Sequence, residues 1–309
     1  MPKISCLISF THNPYLAVLQ KETYLKYWKD EVDEVLVCVN GRNPEMMEFI
    51  SRLWKQDDKV KWVFEAPCEM RQGKAFDVLY HLVSGDIVMT IDSDCFIYKK
   101  GIVKKFADKI RSEKFDAVGS DGHHVRPHQV AQQIYDRYKM VRYNPFLAFF
   151  RNSILWRIDD FTFGTRPFKK GDCYQATGKL EYNGDFDVMS LLSIQFNNLS
   201  NRPFLIPDTS CGEYVHVSAM SSIFRRNFRK LEFAKQDDIY QPRGGAMGYW
   251  VWFWLIYNET KDKVPFQEFN REYEQMFDDE IKKINRTMAE IKNGAKAFSI
   301  QHQGLFQKI

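Results

Sequence analysis

The sequence predicts an α/β protein with a doubly wound, mostly parallel sheet and a helical C-terminal tail. Strand and helix patterns alternate through the first 120 residues, several predicted strands are apolar along their length, and a long amphipathic stripe lies near the C-terminus. We expect a single domain over 1–309, divided into a first half over 1–120, a second half over 121–260 and a tail over 261–309.

The alternation begins at the N-terminus, where runs of apolar residues indicate strands and helical spacing of apolar residues indicates helices. The predicted strands are KISCLISF (3–10), DEVLVCVN (33–40), KVKWVFEA (59–66) and GDIVMTID (85–92). The predicted helices are PYLAVLQKETYLKYWKD (14–30), PEMMEFISRLWKQ (44–56) and GKAFDVLYHLVS (73–84).

The alternation is lost in the second half, after a fifth predicted strand. The elements expected there are the strand FDAVGS (115–120), a helix over 128–141, a helix over 183–198 that begins near Asp185, and the short strand RPFLIPD (202–208). In the tail, apolar residues three and four apart predict one long helix from Phe266 that ends at Gly294. We expect it to pack on its own chain, with pairing to a second copy as the alternative.

Composition limits the class of protein. The chain is 44% hydrophobic, and its net charge of +4 is too small to indicate a nucleic-acid partner. The six cysteines form no CxxC pair, so reduced thiols are expected. The sequence starts on a strand pattern without a signal peptide, and no apolar run approaches the ~20 residues of a membrane span. These features predict a cytoplasmic protein, with peripheral membrane contact left open.

The aromatic run GYWVWFWLIY (248–257) is where such membrane contact could occur. A run of this length is most often part of a core, and we favour that interpretation. An interfacial patch that docks on a bilayer is the alternative.

Asp92 and Asp94 stand where the fourth predicted strand ends. An isolated pair of this kind is more often a turn cap. In doubly wound sheets, however, ligands bind at the carboxyl ends of strands, and the same edge should also carry Ser9–Asn13 and Asn40–Asn43. Two such carboxylates can share a hard cation, Mn²⁺ or Mg²⁺, which a transferase uses to neutralise a departing diphosphate.

Four segments together resemble the nucleotide-sugar-binding half of GT-A glycosyltransferases, most like the family 2 group. They are ISFTHNPYLAVLQ (8–20), VLVCVNG (35–41), RQGKAFDVL (71–79) and SGDIVMTIDSD (84–94). Their order and spacing match that group over the first 120 residues. The resemblance implies a GT-A type of fold, a nucleoside-diphosphate sugar as donor and a divalent metal cofactor.

The resemblance also assigns residues to the donor site. Thr11 and Asn13 would line the nucleoside pocket, and Arg71 and Lys74 would approach the base or the diphosphate. Asp92 would reach the ribose or the metal, Asp94 would bind the metal, and Ser93 between them would face the donor.

The nucleoside base is left open by one departure from the family pattern. Val39 stands where the group commonly has an acid that binds uracil, and Asn40 follows it. Asn40 could supply an amide contact instead. A uridine donor is favoured, with another nucleotide as the alternative.

The segment EYNGDFDVMSLL resembles the family's Glu-Asp-x-Asp-Leu segment, with Gly184 in place of the first acid. An inverting transfer needs a carboxylate that removes the proton of the acceptor hydroxyl, and Asp185 is the expected base. Asp172 and Glu181 are reserves, and a helix cap is the alternative role for Asp185. Inversion is expected, with retention left open.

The segment CGEYVHVSAMSSIFRRNFRK (211–230) provides the remaining match. By resemblance, His216 would be a third metal ligand, and Arg225, with the neighbouring Arg226, Arg229 and Lys230, would meet the diphosphate. The alternatives are a hydrogen-bonded core histidine and a solvated helix face.

The predicted function is therefore a metal-dependent glycosyltransferase acting on a glycan, a lipid-linked sugar or a protein. One alternative is the same chemistry on a modified DNA base, phage-type, with His123–His128 and the cluster at Arg225 on the DNA backbone. A sugar nucleotidyltransferase or a nonenzymatic nucleotide-sugar binder is the other. Sugar nucleotidyltransferases usually have a Gly-rich, Arg-containing loop after the first strand, and the segment SFTHNPYL lacks such a loop.

Overall fold

The computed structural model describes residues 2–11, 13–41, 43–66, 68, 70–121, 141–174, 178–180, 183–200, 202–206, 212–217, 245–283 and 285–306. Several predictions fall outside these ranges. They concern the helix over 128–141, His123 to His128, Glu181, and the basic residues Arg225, Arg226, Arg229 and Lys230.

The described residues form strands between Ile4 and His216, and α-helices of four to 17 residues. The strands are β1 Ile4–Thr11, β2 Glu34–Asn40, β3 Val60–Ala66, β4 Ile87–Asp92, β5 Cys95–Ile97, β6 Ala117–Asp121, β7 Tyr143–Arg151, β8 Arg166–Phe168, β9 Cys173–Tyr174, β10 Gly178–Lys179, β11 Gly184–Phe186, β12 Pro203–Leu205 and β13 Tyr214–His216. The helices are α1 Pro14–Thr23, α2 Pro44–Lys55, α3 Gln72–Tyr80, α4 Ile102–Arg111, α5 Asn152–Leu155, α6 Ser190–Leu199, α7 Gly245–Thr260, α8 Gln267–Lys283, α9 Met288–Gln301 and α10 Gln303–Phe306.

The central sheet has seven strands in the order β12-β6-β7-β4-β1-β2-β3. Within it, every neighbouring pair is parallel except the two that β7 makes with β4 and β6. Strands β1 and β2 are buried along almost their whole length, as expected for strands covered on both faces. The predicted doubly wound, mostly parallel α/β class is confirmed.

The register of the sheet brings the predicted polar strand ends together. Thr11 pairs with Asn40 across β1 and β2, and Ser9 pairs with Asp92 across β1 and β4. Because all three strands are parallel, their carboxyl ends form one rim of the sheet. The prediction that these segments share an edge is confirmed.

The first predicted helix, over 14–30, is regular only in its first part. Asn13 caps α1, and its side-chain oxygen accepts a hydrogen bond from the amide of Leu16 at 3.0 Å. Beyond α1, the backbone continues as a π-helical turn over Tyr24–Trp28 and then a short 3₁₀ turn. The aromatic side chains of Tyr24 and Trp28 pack edge to face inside the core.

Two helix boundaries differ from prediction. No helix begins near Asp185, because Asp185 lies in β11, which pairs with β8, and α6 begins at Ser190. The single long tail helix is also wrong. Helix α8 ends at Lys283 and α9 starts after Thr287, which forms a capping box with Glu290.

Gly294 lies inside α9 and does not end a helix. A Cβ at this position would approach Cγ2 of Val251 to 3.0 Å, so glycine allows α9 to pack closely on α7. The local rule that glycine ends a helix is overridden here by a tertiary contact.

The C-terminal helices pack on the rest of the chain through an aromatic core. Trp250, Trp252, Phe253 and Tyr257 of α7 are buried, so the run over 248–257 contributes to the core as predicted. The buried residues of α8 share that core with side chains of α1 and β5. The predicted packing in cis is confirmed. None of the described helices combines the length and apolarity that crossing a membrane would require.

Candidate metal centre

Three predicted metal ligands lie together at the carboxyl rim of the sheet. Asp92 is the last residue of β4, and a tight turn places Asp94 immediately before β5. Strand β5 pairs with β13 in antiparallel register, with Cys95 opposite His216. The amide of Val217 donates to the Asp94 carbonyl at 3.0 Å, which extends this antiparallel pairing by one more hydrogen bond. The histidine therefore reaches the carboxylates through backbone pairing.

The ligand atoms of these three residues all lie within 4.8 Å of one another. His216 Nε2 is 3.7 Å from Asp92 Oδ2 and 3.6 Å from Asp94 Oδ1. The side chains are between 7% and 14% exposed. The protein thus shields most of the cluster from solvent.

The electrostatics of this cluster disfavour two bare negative charges. Burial, followed by the charge of Asp94, raises the pKa of Asp92 to about 7, while His216 acts in the opposite direction. A divalent cation between the carboxylates would relieve this repulsion.

The chemistry of the three side chains fits a hard divalent ion. Carboxylate oxygens with one imidazole nitrogen suit Mn²⁺, and carboxylate oxygens suit Mg²⁺. Cys95 follows Asp94 directly, but burial and the two neighbouring carboxylates raise the pKa of its thiol far above the ordinary value. Among the described residues, the side chains close enough to share one ion are the two carboxylates and the imidazole, and the Cys95 thiol is not one of them.

Two residues that support this cluster were not predicted. Gln72, the first residue of α3, donates a side-chain hydrogen bond to Asp92 Oδ1. Phe146 of β7 stacks on the His216 ring, with centroids 4.5 Å apart and planes 10° apart. Gln72 lies within the segment RQGKAFDVL that carries the family resemblance, so that segment could have indicated it. For Phe146 the local sequence contains no signal, because the contact depends on sheet order.

A loop over 161–165 packs against the start of α3, beside Gln72. A Cβ on Gly73 would lie 2.5 Å from Gly164 Cα, so the two backbones touch where both residues are glycine. Asp77 of α3 accepts hydrogen bonds from the Thr162 hydroxyl and the Phe163 amide at 2.8 and 2.6 Å. These contacts fix the loop beside the N-terminus of α3.

The predicted nucleoside residues at the rim make contacts of their own. Asn40 is fully buried. Its oxygen accepts from the Met70 amide at 3.1 Å and from the Thr11 hydroxyl at 3.3 Å, while its nitrogen donates to Ser9. Asn13 is 1% exposed and caps α1. The Asn40 side chain therefore connects β2 to β1 and to the segment at Met70, while Asn13 fixes the start of α1. Thr11 is half-buried.

The remaining predicted donor residues differ in exposure. Arg71 and Lys74 are exposed at the start of α3, and Arg71 Nη1 donates to Thr165 Oγ1 at 3.1 Å. Ser93 is buried in the turn between the two aspartates. Arg225 lies outside the described residues.

The predicted base Asp185 and its reserve Asp172 make no hydrogen bond or ion pair with the metal cluster among the described residues. Asp185 is exposed on β11, and within the described ranges no hydrogen bond or ion pair is recorded for its carboxylate. Asp187 pairs with Arg142 at 2.8 Å, and Asp172 accepts from the Lys169 amide at 2.8 Å.

Comparison with known proteins yields likeness in structure only. No family model matches the sequence, and a search of curated proteins finds no match. One similar solved structure is the mannosyltransferase PcManGT from Pyrobaculum calidifontis in complex with GDP-Man and Mn²⁺. It is 11% identical, covers 99% of this chain and 83% of that chain, and has a TM-score of 0.46.

Two further solved structures are similar to this chain. Glucosyl-3-phosphoglycerate synthase from Mycobacterium tuberculosis, in complex with Mn²⁺, UDP-Glc and glycerol 3-phosphate, is 16% identical over 66% of this chain and 69% of that chain, with a TM-score of 0.43. The bifunctional glycosyltransferase WbbM is 11% identical over 67% of this chain and 39% of that chain, with a TM-score of 0.40. All three likenesses are at low sequence identity, with TM-scores below 0.5.

Proposed function

We propose that this chain is a metal-dependent glycosyltransferase that moves a sugar from a nucleoside-diphosphate sugar to an acceptor hydroxyl. The observation that carries the proposal is the cluster of Asp92, Asp94 and His216 at the carboxyl rim of a doubly wound sheet. This rim is where ligands bind in sheets of this class.

In this proposal Asp92, Asp94 and His216 hold Mn²⁺ or Mg²⁺. When bound, the ion supplies positive charge that offsets the negative charge growing on the departing diphosphate. Gln72 holds one oxygen of Asp92 and leaves the other, Oδ2, on the side of His216. Asn40 keeps the ends of β1 and β2 and the segment at Met70 in a fixed arrangement.

The start of α3 is suited to the diphosphate. Arg71 and Lys74 are exposed cations there, and the first amides of a helix attract anions. The hydrogen bond from Gln72 to Asp92 places this helix end directly beside the metal cluster. We assign Arg71 and Lys74 to the diphosphate or base, and Thr11 and Ser93 to the donor surface. Asn13 and Asn40 act by positioning that surface.

Asp185 is our candidate for the base that removes the proton of the acceptor hydroxyl. Of the two described acids expected in this role, Asp172 accepts a hydrogen bond from the Lys169 amide. Asp185 is exposed, and its carboxylate is not engaged by any described residue. An inverting transfer follows from this assignment.

The donor and the acceptor belong to broad chemical classes. Two of the similar structures contain GDP-Man and UDP-Glc, which favours testing guanosine and uridine donors first. The acceptor is a hydroxyl of a glycan, a lipid-linked sugar or a protein. The five described cysteines are free thiols, which supports placing the activity in the reducing cytoplasm.

A thermal-shift screen of nucleotide sugars, each measured with Mn²⁺ and with EDTA, tests this function. We expect at least one nucleotide sugar to raise the melting temperature only when Mn²⁺ is present. Asp94→Ala should abolish that shift, whereas Asp185→Asn, a matched loss of one carboxylate, should keep it. A shift that persists in EDTA or in Asp94→Ala would contradict the proposal.

A further inference from the structure

We infer that Phe146 is a positioning residue that holds the His216 ring in the orientation needed to bind the metal. The inference rests on the proposed metal site and adds a residue to it. Phe146 is fully buried, and its ring is nearly parallel to the imidazole, with centroids 4.5 Å apart.

The sheet order places Phe146 between the two parts of the metal centre. Strand β7 runs antiparallel to β4, and Leu147 pairs with Ile91, the residue before Asp92. Phe146 therefore lies beside the end of β4 that carries Asp92. From there its ring reaches His216 on β13, a strand outside the seven-stranded sheet. Backbone pairing with β5 brings His216 to the cluster, and the Phe146 ring then packs flat on its imidazole beside the end of β4.

The hydrogen bonding of His216 gives the stack its importance. A metal-binding histidine almost always donates its second ring N–H to a carboxylate, a carbonyl or a water, and this bond fixes the ring. Here Nδ1 is buried and has no hydrogen-bond partner among the described residues, while Nε2 faces both carboxylates. The flat contact with Phe146 takes over the orienting role by restricting rotation of the imidazole about its Cβ–Cγ bond.

The same contact favours the metal-bound form of the histidine. A bound cation withdraws electron density from the imidazole, which makes the ring electron-poor. The face of a phenyl ring carries negative potential and attracts such a ring more strongly than a neutral one. Phe146 should therefore increase metal affinity both by restricting the ring and by this attraction.

A Mn²⁺ titration followed by electron paramagnetic resonance of the free ion tests the role of Phe146 without any turnover. We expect Phe146→Leu to weaken Mn²⁺ binding by about tenfold, the lower end of the effect seen when the supporting partners of a metal ligand are removed. Phe146→Met keeps more of the side-chain length and lacks a flat ring, so it should show a similar loss.

Phe149→Leu is the matched control. Phe149 lies on the same strand and in the same buried cluster, and its ring centroid is 5.7 Å from that of Phe106. Its replacement removes the same atoms from the core and should leave Mn²⁺ affinity unchanged. Thermal unfolding in EDTA should show a loss of stability in both leucine variants, which separates packing from metal binding.

The outcomes distinguish a failure of this inference from a failure of the proposed metal site. Wild-type affinity in Phe146→Leu and Phe146→Met, or an equal loss in Phe149→Leu, would overturn the role of Phe146 alone. If the wild-type protein binds no Mn²⁺, both the metal site and the inference are overturned. His216→Ala should weaken binding at least as much as Phe146→Leu, because it removes the ligand itself.

Discussion

Replacing Asp92 with asparagine should stabilise the metal-free protein while destroying its metal site. The asparagine oxygen can still accept the hydrogen bond from Gln72, and the substitution removes one of two negative charges held close together in a buried cluster. Stability and metal binding are therefore expected to change in opposite directions, as is common where a functional site opposes folding.

The size of the effect follows from the pKa of Asp92, which burial and the charge of Asp94 raise from 3.8 to about 7 while His216 acts in the opposite direction. One pKa unit corresponds to about 1.4 kcal/mol, so ionised Asp92 costs the metal-free fold about 4 kcal/mol. Because the folded-state pKa lies above the unfolded value of 3.8, this cost is absent below pH 3.8 and complete above pH 7.

Urea unfolding of both proteins in EDTA at pH 8 and pH 5 measures this cost. Asp92→Asn should exceed the wild type in free energy of unfolding by up to about 4 kcal/mol at pH 8 and by about 2 kcal/mol at pH 5. Adding Mn²⁺ at about 100 times its Kd should raise the wild type by about 2.7 kcal/mol and the variant by much less. A variant that is less stable than the wild type at pH 8, or a difference independent of pH, would refute the reasoning.

Three further substitutions test the loop, an ion pair and the base. Gly73→Ala places a Cβ 2.5 Å from Gly164 Cα, so we expect a loss of about 2 kcal/mol in urea unfolding and weaker nucleotide-sugar binding; an unchanged midpoint would show that the loop yields freely. Burial alone would raise the pKa of Asp57, but hydrogen bonds, that of Lys29 foremost, hold it at about 2. The ionised carboxylate of Asp57 therefore stabilises the fold above pH 3.8, and this stabilisation is lost as the pH falls toward 2. Asp57→Asn should lower the free energy of unfolding by about 2 kcal/mol at pH 7 and by little at pH 2. An equal loss at both pH values would contradict this prediction. Asp185→Asn should leave isothermal-titration binding of the nucleotide sugar intact and abolish transfer, and wild-type turnover would remove it from the mechanism.

The rim of the sheet was predictable because it depends on local patterns. Alternating strands and helices imply parallel strands, and parallel strands end at one edge, so Thr11, Asn40 and Asp92 could be placed together from the sequence. His216 could be proposed only through resemblance to a family. Nothing in the sequence around it indicates that β13 pairs with β5.

The features that escaped prediction depend on distant contacts. Strand β7 interrupts the parallel order as an antiparallel strand in the middle of the sheet, so neither the strand nor the contact of Phe146 follows from the alternation. Asp185 resembles a helix cap in sequence, but pairing of β11 with β8 keeps it in a strand. Helix α6 instead starts after Met189, whose φ of 59° is left-handed. Local propensity was overridden in these cases by pairing and packing.

The most direct test of the central claim is calorimetric titration of the protein with nucleotide sugars, beginning with UDP-glucose and GDP-mannose, in Mn²⁺ and in EDTA. We predict that at least one nucleotide sugar binds in Mn²⁺, and that the binding disappears in EDTA and in both Asp94→Ala and His216→Ala. Binding that is unaffected by EDTA and by both substitutions, or no binding across a full panel of nucleotide sugars, would contradict the assignment of Asp92, Asp94 and His216 as the metal centre of a glycosyltransferase.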